Sequence, residues 1–367
     1  MALLGGLALA GALLWHNTRQ NLAARQIRSG FGFLGQTAGF DIGEGLVPYA
    51  PTDTYLLAFA AGVANTLRVA VVGIVLATVL GTLVGLGRLS RNALVRWLCT
   101  GYVEVLRNVP LIIQLFAWYL VATEILPEAA SPIELAPHVY LSKGGLQFPH
   151  PVWARGWAWA LAAVPPGLAA AWALVRWARA RRGRTGHGPR LGWAAVLLAF
   201  AFPLAGWLAG GAPRAFELPE VTRFNVSGGV SLTPEFLALL VGLVTFTAAF
   251  IAEIVRSGVL AVPHGQAEAA AALGLAPRQA MRLVILPQAL RVIVPPLTSQ
   301  FLNLTKNSSL AVAIGYPDVV SIANTAINQN GQALECIVVI MSVYLTINLV
   351  TALGMGWYNR RVALVEG

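Results

Sequence analysis

Residues 257–290 read SGVLAVPHGQAEAAAALGLAPRQAMRLVILPQAL, and they separate two apolar runs with a segment punctuated like two short helices. Pro263 can sit in a first helical turn, and Ala267 to Leu273 is strong helix-forming sequence. Gly274 suits the left-handed position past a helix end, and Pro277 can open a second helix that ends before Pro287. The segment is expected to be a compact elbow on one side of a membrane, joining the runs on either side of it.

Composition requires the membrane. Of 367 residues, 57% are apolar and 11% charged, with a mean hydropathy of +0.69, where an ordinary soluble domain carries roughly 25% charge. Disorder, collagen-like repetition and a disulfide-stapled secreted fold are excluded, because Gly shows no period and Cys99 and Cys336 each sit inside an apolar run. The net charge of +10 would suggest nucleic acid in a soluble chain; here the basic residues, nearly all Arg, flank apolar runs and read as topology signals, so no nucleic-acid partner is expected.

A bilayer core of about 30 Å takes about 20 helical residues, and the runs are continuous rather than alternating, so helices are expected and not a β-barrel. Spans are placed at 66–87, 98–121, 157–175, 191–209, 235–254, 289–304 and 333–356, with an N-terminal run from Ala2 to Trp15 as the eighth. That first run is short, and Met1 to Trp15 lacks the positive start of a cleaved signal, so a spanning helix with a trimmed start is the expectation. One set of loops holds fifteen Lys and Arg residues, among them Arg88, Arg176, Arg256 and Arg360, and the other holds eight. The richer side is therefore expected in the cytoplasm, with both termini there.

Residues 157–209 read as a helical hairpin around a loop, 176–190, that carries six Arg, with Trp at both ends. It is expected to be a peripheral lipid-facing anchor, since nothing polar in it could hold a substrate. Gly81 and Gly85 form a small-xxx-small pair suited to close helix contact.

The opening stretch resembles the EAA loop of ABC-importer permeases, whose pattern is EAA, three residues, Gly, nine residues, then Ile-x-Leu-Pro. Here Glu268-Ala269-Ala270, Gly274 and Val284-Ile285-Leu286-Pro287 match every spacing, with Val in place of Ile. In that family the helix docks on the ATPase, so the resemblance assigns coupling to Glu268, Ala269, Ala270, Gly274, Leu286 and Pro287. Asn65-Thr66-Leu67-Arg68, Arg107-Asn108-Val109-Pro110-Leu111, Ala252-Glu253-Ile254-Val255-Arg256 and Asn303 to Leu310 resemble the polar amino-acid branch. Gly30 to Gly35, Ala38 to Ile42 and the inserted hairpin resemble the longer permeases of general L-amino acid importers, including those for glutamate, glutamine, aspartate and asparagine.

The resemblance implies an all-α membrane protein of about eight transmembrane helices with a five-helix importer-permease core, in the bacterial inner membrane. Residues 1–61 would be an N-terminal transmembrane helix and periplasmic segment, and 62–121 the first section of the permease core. Residues 122–234 would be the insertion with its extra hairpin, and 235–367 the remaining section of the core with the coupling loop 257–288. The implied partners are a second permease, an ATPase dimer that holds the ATP, a periplasmic amino-acid-binding protein and membrane lipid. This chain itself is expected to be no enzyme and to carry no cofactor or metal.

Polar groups at bilayer depth are expensive, so each is a site hypothesis. Glu104, Glu253 and Glu335 could meet Arg68, Arg107, Arg256 and Lys306, and Glu253 can pair with Arg256 at i and i+3. Glu104, Arg107 and Glu335 read more simply as helix-end anchors. The polar run Asn303 to Ser309 follows Pro295-Pro296, so the helix is expected to break there. Lys306, Asn307, Ser308 and Ser309, with Asn303 and Glu253, could hold the carboxylate and ammonium of an amino acid; a polar surface loop would read the same way, and both readings stand.

Two rivals are weaker. An ion-coupled secondary transporter usually shows paired interrupted helices, and a single interrupted segment is visible. A membrane enzyme needs a catalytic cluster, but the five His lie in or beside loops without metal-ligand spacing. Neither Lys143 nor Lys306 fits a GxxxxGK[ST] motif, so an importer of this kind takes its motor from another chain.

Overall fold

The computed structural model of the chain describes residues 30–185 and 192–362, with positions 5–6, 9–13, 16–17 and 20 near the start. Half of the Ala2 to Trp15 run therefore falls outside the described residues, as does 186–191 at the end of the Arg-rich loop. Among the described residues six helices are long and apolar enough to cross a membrane, or seven if one bent pair counts as a span, so the expected eight are not reached. The chain divides into two compact units, Met1–Leu126 with Thr233–Gly367, and Pro127–Leu232.

In the first unit, helix α1 (Tyr55–Gly87) starts well before the expected Thr66 because the Thr54 side chain accepts a hydrogen bond from the Leu57 N–H and closes the end. At 33 residues it is about 50 Å long, more than the hydrocarbon core requires. Its buried stripe is made of small residues, among them Gly62, Ala70, Gly73, Ala77, Gly81 and Gly85 at helical spacing.

The span expected over 98–121 is instead two helices, α2 (Ala93–Asn108) and α3 (Leu111–Leu120), bent by 106°. Val109 is extended (φ −95, ψ 128), the conformation that a following proline favours. The bend leaves carbonyls without helical partners. Gln114 Nε2 satisfies two of them, donating to Leu106 O and Val109 O at 2.9 Å each.

Helix α6 (Pro234–Leu260) is the central element, capped by Thr233 and with Pro234 in its first turn. Against it lie α1 and the α2–α3 pair: Val103 packs on Ala249 and Ala252, and Ala77 joins Val244, Ile251 and Val255. The small stripe of α1 permits the close approach. A Cβ on Gly81 would stand 2.6 Å from Ile251 Cβ, and one on Gly85 would stand 2.7 Å from Ala252 O.

After α6 come α7 (His264–Ala272), α8 (Pro277–Ala280), a π turn at Met281–Ile285 and α9 (Leu286–Asn307). Contrary to expectation, α9 runs unbroken through Pro295 and Pro296 and tightens into a 3-10 turn only at Ser308–Ile314. Helices in lipid tolerate proline where the freed backbone groups find other partners, and α9 continues through both. Gly315, in the left-handed region at φ 81, ends the turn, and α10 (Val319–Asn330) and α11 (Ala333–Val362) complete the unit.

Residues 30–54 form a strap over one end of these helices. Thr37 bridges Thr54, and Phe33 sets its ring edge-on to Tyr55 and Phe59 at 5.5 and 6.4 Å. Val319, Ile322, Ala326 and Cys336 close the same apolar cluster.

The second unit holds a helical hairpin, α4 (Arg155–Thr185) and α5 (Gly192–Ala209), close to the expected 157–175 and 191–209. It also holds short strands that the helical reading did not include. β1 (Ile133–Ala136), β2 (Val139–Ser142), β3 (Gly145–Phe148) and β8 (Val230–Leu232) make an antiparallel sheet in the order β1-β2-β3-β8, with Tyr140 opposite Gln147 and Leu146 opposite Leu232. Two further ladders pair β4 (His150–Pro151) with β5 (Phe216–Glu217), and β6 (Glu220–Val221) with β7 (Val226–Ser227).

Candidate functional site

The elbow is built by local rules. Pro263 precedes α7 rather than sitting inside its first turn, so His264 opens the helix. At the other end the Leu275 N–H donates to Ala270 O (3.1 Å) and the Gly274 N–H to Ala271 O (2.9 Å), the pair of bonds that a left-handed residue past the helix end makes possible. Gly274 has φ +75, and nothing lies within 4 Å of a Cβ placed on it. Its glycine is required by backbone conformation alone.

The second elbow helix does not stop before Pro287. It widens through the π turn and passes into α9 with Pro287 in the first turn, where the missing N–H costs no hydrogen bond. Gln288 Nε2 donates to Gln266 Oε1 at 3.1 Å and ties the start of α9 back to α7.

Of the six coupling residues, Ala270 is buried at 3% exposure, while Glu268, Ala269, Gly274, Leu286 and Pro287 face outward. Glu268 lies 3.2 Å from His264 Nδ1 on the exposed side. Leu273 is 81% exposed, with Leu283 and Met281 also uncovered. A helix with a small, partly apolar outer face and one carboxylate is thus held rigidly at the end of α6 with no described residue of the chain covering it.

A second feature lies along α6. Glu253 is bound by Arg88, the C-terminal cap of α1, by Arg256 at 3.3 Å and by Arg107 at 3.8 Å, and it accepts from Ser257 Oγ at 3.2 Å. Arg107 also stacks over the Phe250 ring at 5.2 Å. The expected i, i+3 pair with Arg256 is present. Arg88, which the sequence offers only as a topology charge, is the strongest partner and is 8% exposed.

The polar run of α9 splits by helical face. Leu304, Thr305 and Ser308 are buried, whereas Asn303 and Lys306 are exposed. The serines hydrogen-bond their own chain: Ser308 Oγ donates to Thr305 O and Ser309 Oγ to Lys306 O, each at 2.7 Å. Lys306 and Ser309, with Val320, Ile340 and Tyr344, line a cavity of about 340 Å3. Among the described residues no ion pair or hydrogen bond joins Glu253 directly to this run.

A third cluster had no counterpart among the expected sites. Glu44 of the strap bonds Arg68 Nη1 and Thr233 Oγ1, both at 2.5 Å, and Arg68 covers the Phe236 ring at 4.1 Å. Asn65 Nδ2 donates to Glu44 O and Pro317 O, and Thr66 Oγ1 accepts from the Val319 N–H at 3.2 Å. The Asn-Thr-Leu-Arg motif thereby fastens the strap and the start of α10 to α1. Its partner Glu44 is separated from Arg68 by 24 residues and carries no local signal. Beside it, burial pushes the Asp318 carboxyl up to about 7, although it caps α10 by accepting from the Ser321 N–H at 2.8 Å. Glu335 accepts from the Gly30 N–H at 2.5 Å, a helix-end role.

The model of the family described as binding-protein-dependent transport system inner membrane component matches residues 73–364. The chain is similar to the general L-amino acid transport system permease protein AapQ of Rhizobium johnstonii, at 46% identity over 98% of this chain and 90% of that one. It is also similar to the putative amino-acid ABC transporter permease protein YhdX of Escherichia coli K12, at 47% identity over 99% and 93%. A third relative is the glutamate/glutamine/aspartate/asparagine transport system permease protein BztB of Rhodobacter capsulatus, at 40% identity over 98% and 92%.

Proposed function

The chain belongs to the binding-protein-dependent transport system inner membrane components, and we infer from that membership that it is the multi-pass permease subunit of an ATP-driven importer of polar L-amino acids. No bond in the substrate changes, so its work is mechanical rather than enzymatic. The observation that carries the reading is the exposed α7–Gly274 elbow, which ends α6, the helix most deeply embedded in the bundle.

In this reading Glu268, Ala269 and Gly274, with Leu286 and Pro287 behind them, seat on an ATPase that holds the ATP, and the buried Ala270 packs the helix onto its own chain. One elbow fits one motor, so a second permease subunit, two ATPase copies and a periplasmic amino-acid-binding protein complete the machine. Closure of the motors moves the elbow, and α6 and α9 carry the movement into the bundle, alternating the side to which the pathway opens. The elbow and both termini then lie in the cytoplasm, and the strap with Glu44 lies outside.

Asn303, Lys306 and Asn307 are the groups best placed to meet an amino acid, because they lie at or near the surface on the open side of α9. Ser308 and Glu253 act instead as structural members, one inside the bundle and one beneath three arginines.

Uptake of labelled glutamate into vesicles containing the assembled importer tests the reading. Uptake should require ATP and the binding protein, and Gly274→Asp should abolish it with the subunit still inserted. Uptake driven by an ion gradient without nucleotide would refute the assignment.

A further inference from the structure

Glu253 is the point at which three helices of the first unit meet. Arg88, the C-terminal cap of α1, donates a hydrogen bond to one of its carboxylate oxygens, and Arg107, in the last turn of α2, lies 3.8 Å from the same oxygen. Arg256 and Ser257 of α6 itself hold the other oxygen at 3.3 and 3.2 Å. The residue stands seven positions before Leu260, about 10 Å along the helix from where α6 gives way to the elbow.

The two halves of the bent pair are held to different stretches of α6. On α2 the Tyr102 hydroxyl donates to Thr245 O at 2.7 Å, Val103 packs on Ala249 and Ala252, and Arg107 lies over the Phe250 ring. On α3 the Tyr119 hydroxyl reaches Glu235 at 3.4 Å, and a Cβ on Gly242 would stand 2.5 Å from Leu115 Cδ2. Between the two halves, Val109 and Pro110 both have extended backbone, so a change of angle there is taken up by a few dihedrals.

Arg107 is the loosest member of the cluster. It lies within ion-pair range but beyond hydrogen-bond range, and its side chain is 38% exposed against 8% for Arg88. Its contact with Glu253 is thus the one most altered by a small relative movement of α2 and α6. The Arg256 pair lies within α6 and does not change when helices move against each other.

We propose that Glu253 and Arg107 are positioning residues that carry movement of the elbow into the α2–α3 bend. The proposal rests on the docking role of the elbow given above, and neither residue touches the amino acid. Glu253 moves with the elbow end of α6, Arg107 takes the end of α2 with it, and α3 stays with the far end of α6, so the angle at Val109 and Pro110 changes. Arg88 ties the end of α1 to the same movement.

The test is the number of ATP molecules hydrolysed per amino acid taken up, measured in vesicles that hold the assembled importer with saturating binding protein. Arg107→Gln should raise that ratio roughly fivefold, the lower end of what a coupling between two sites carries, with hydrolysis near the wild-type rate. A partly exposed pair contributes little to folding, so the melting temperature should hardly move. Arg88→Gln should act in the same direction, and Arg256→Gln should leave the ratio unchanged. Should Arg88→Gln fail to fold, Arg107→Gln reads the same joint. A wild-type ratio at Arg107→Gln, including one in which uptake and hydrolysis fall together, or an equal rise at Arg256→Gln would overturn the joint. Wild-type uptake without ATP would overturn the importer reading first and the joint with it, which distinguishes the two failures.

Discussion

Glycine and alanine line both the α1–α6 contact and the elbow, yet they do opposite things in the two places. Between α1 and α6 they are buried, and Gly81 and Gly85 bring two backbones within contact distance, so their value is the absence of a Cβ in a crowded space. In the elbow Ala269, Ala271 and Ala272 face outward, with Ala270 turned inward, and Gly274 has open space around it; its value is a left-handed backbone. A small-residue surface with no described intramolecular partner, held rigid by a helix-end motif and a Gln266–Gln288 bond, is what a docking surface for another chain requires. The contrast separates residues that hold the subunit together from the outward-facing residues that we propose connect it to an ATPase.

The contrast can be broken most forcefully at Gly81. Gly81→Leu would drive side-chain atoms into Ile251 and Ala248 O, and the expected outcome is loss of folded subunit from detergent extracts, read by size-exclusion chromatography. An inserted, monodisperse Gly81→Leu subunit would mean that the two helices are not in contact.

Glu253→Gln should come next. It leaves Arg88, Arg107 and Arg256 together without their shared anion, a loss of about 2 kcal/mol for a partly exposed group hydrogen-bonded to a buried arginine. Thermal unfolding of the purified subunit reads it, and restoration of stability by also replacing Arg88 with Gln would identify charge imbalance as the cause.

A smaller effect is expected from pH. Burial raises the Asp318 carboxyl from 3.8 to about 7, so the folded state favours its protonated form. That contribution is complete below about pH 4 and declines as pH rises through 7. The subunit should lose stability as pH rises from about 4 to about 7 and change little above that, and Asp318→Asn, which still caps α10, should flatten that slope; an unchanged slope would show that Asp318 is not its source.

The smallest effect on stability belongs to the elbow. Gly274→Asp strains one exposed left-handed residue by about 1–2 kcal/mol locally, so the melting temperature of the isolated subunit should hardly move. Co-purification of the ATPase should be lost all the same.

What could be read from the sequence follows how local each signal is. Elbow punctuation is local, and Gly274, Pro277 and the alanine helix stand where their chemistry puts them. The apolar runs are local too, so each described span overlaps its reading, but the ends shift by up to eleven residues, as at Tyr55 against the expected Thr66. Proline was the harder letter: Pro110 bends a span that hydropathy draws straight, because Val109 is pushed to an extended backbone, while Pro295 and Pro296 pass through α9 where breaking was expected. The Glu44–Arg68 pair and the Arg88–Glu253 pair join residues 24 and 165 apart, and nothing in either neighbourhood announces the partner. Strands of two to four residues are too short to show a period in a chain dominated by helices.

The account rests on the elbow being covered by a nucleotide-binding partner, and accessibility of its outer face measures this directly. With Cys99 and Cys336 replaced, a single cysteine at Ala269 or Leu273 should react fast with a membrane-impermeant maleimide in the isolated subunit and become protected in the assembled importer. Labelling at the same rate in the isolated subunit and in every nucleotide state of the full complex would contradict it.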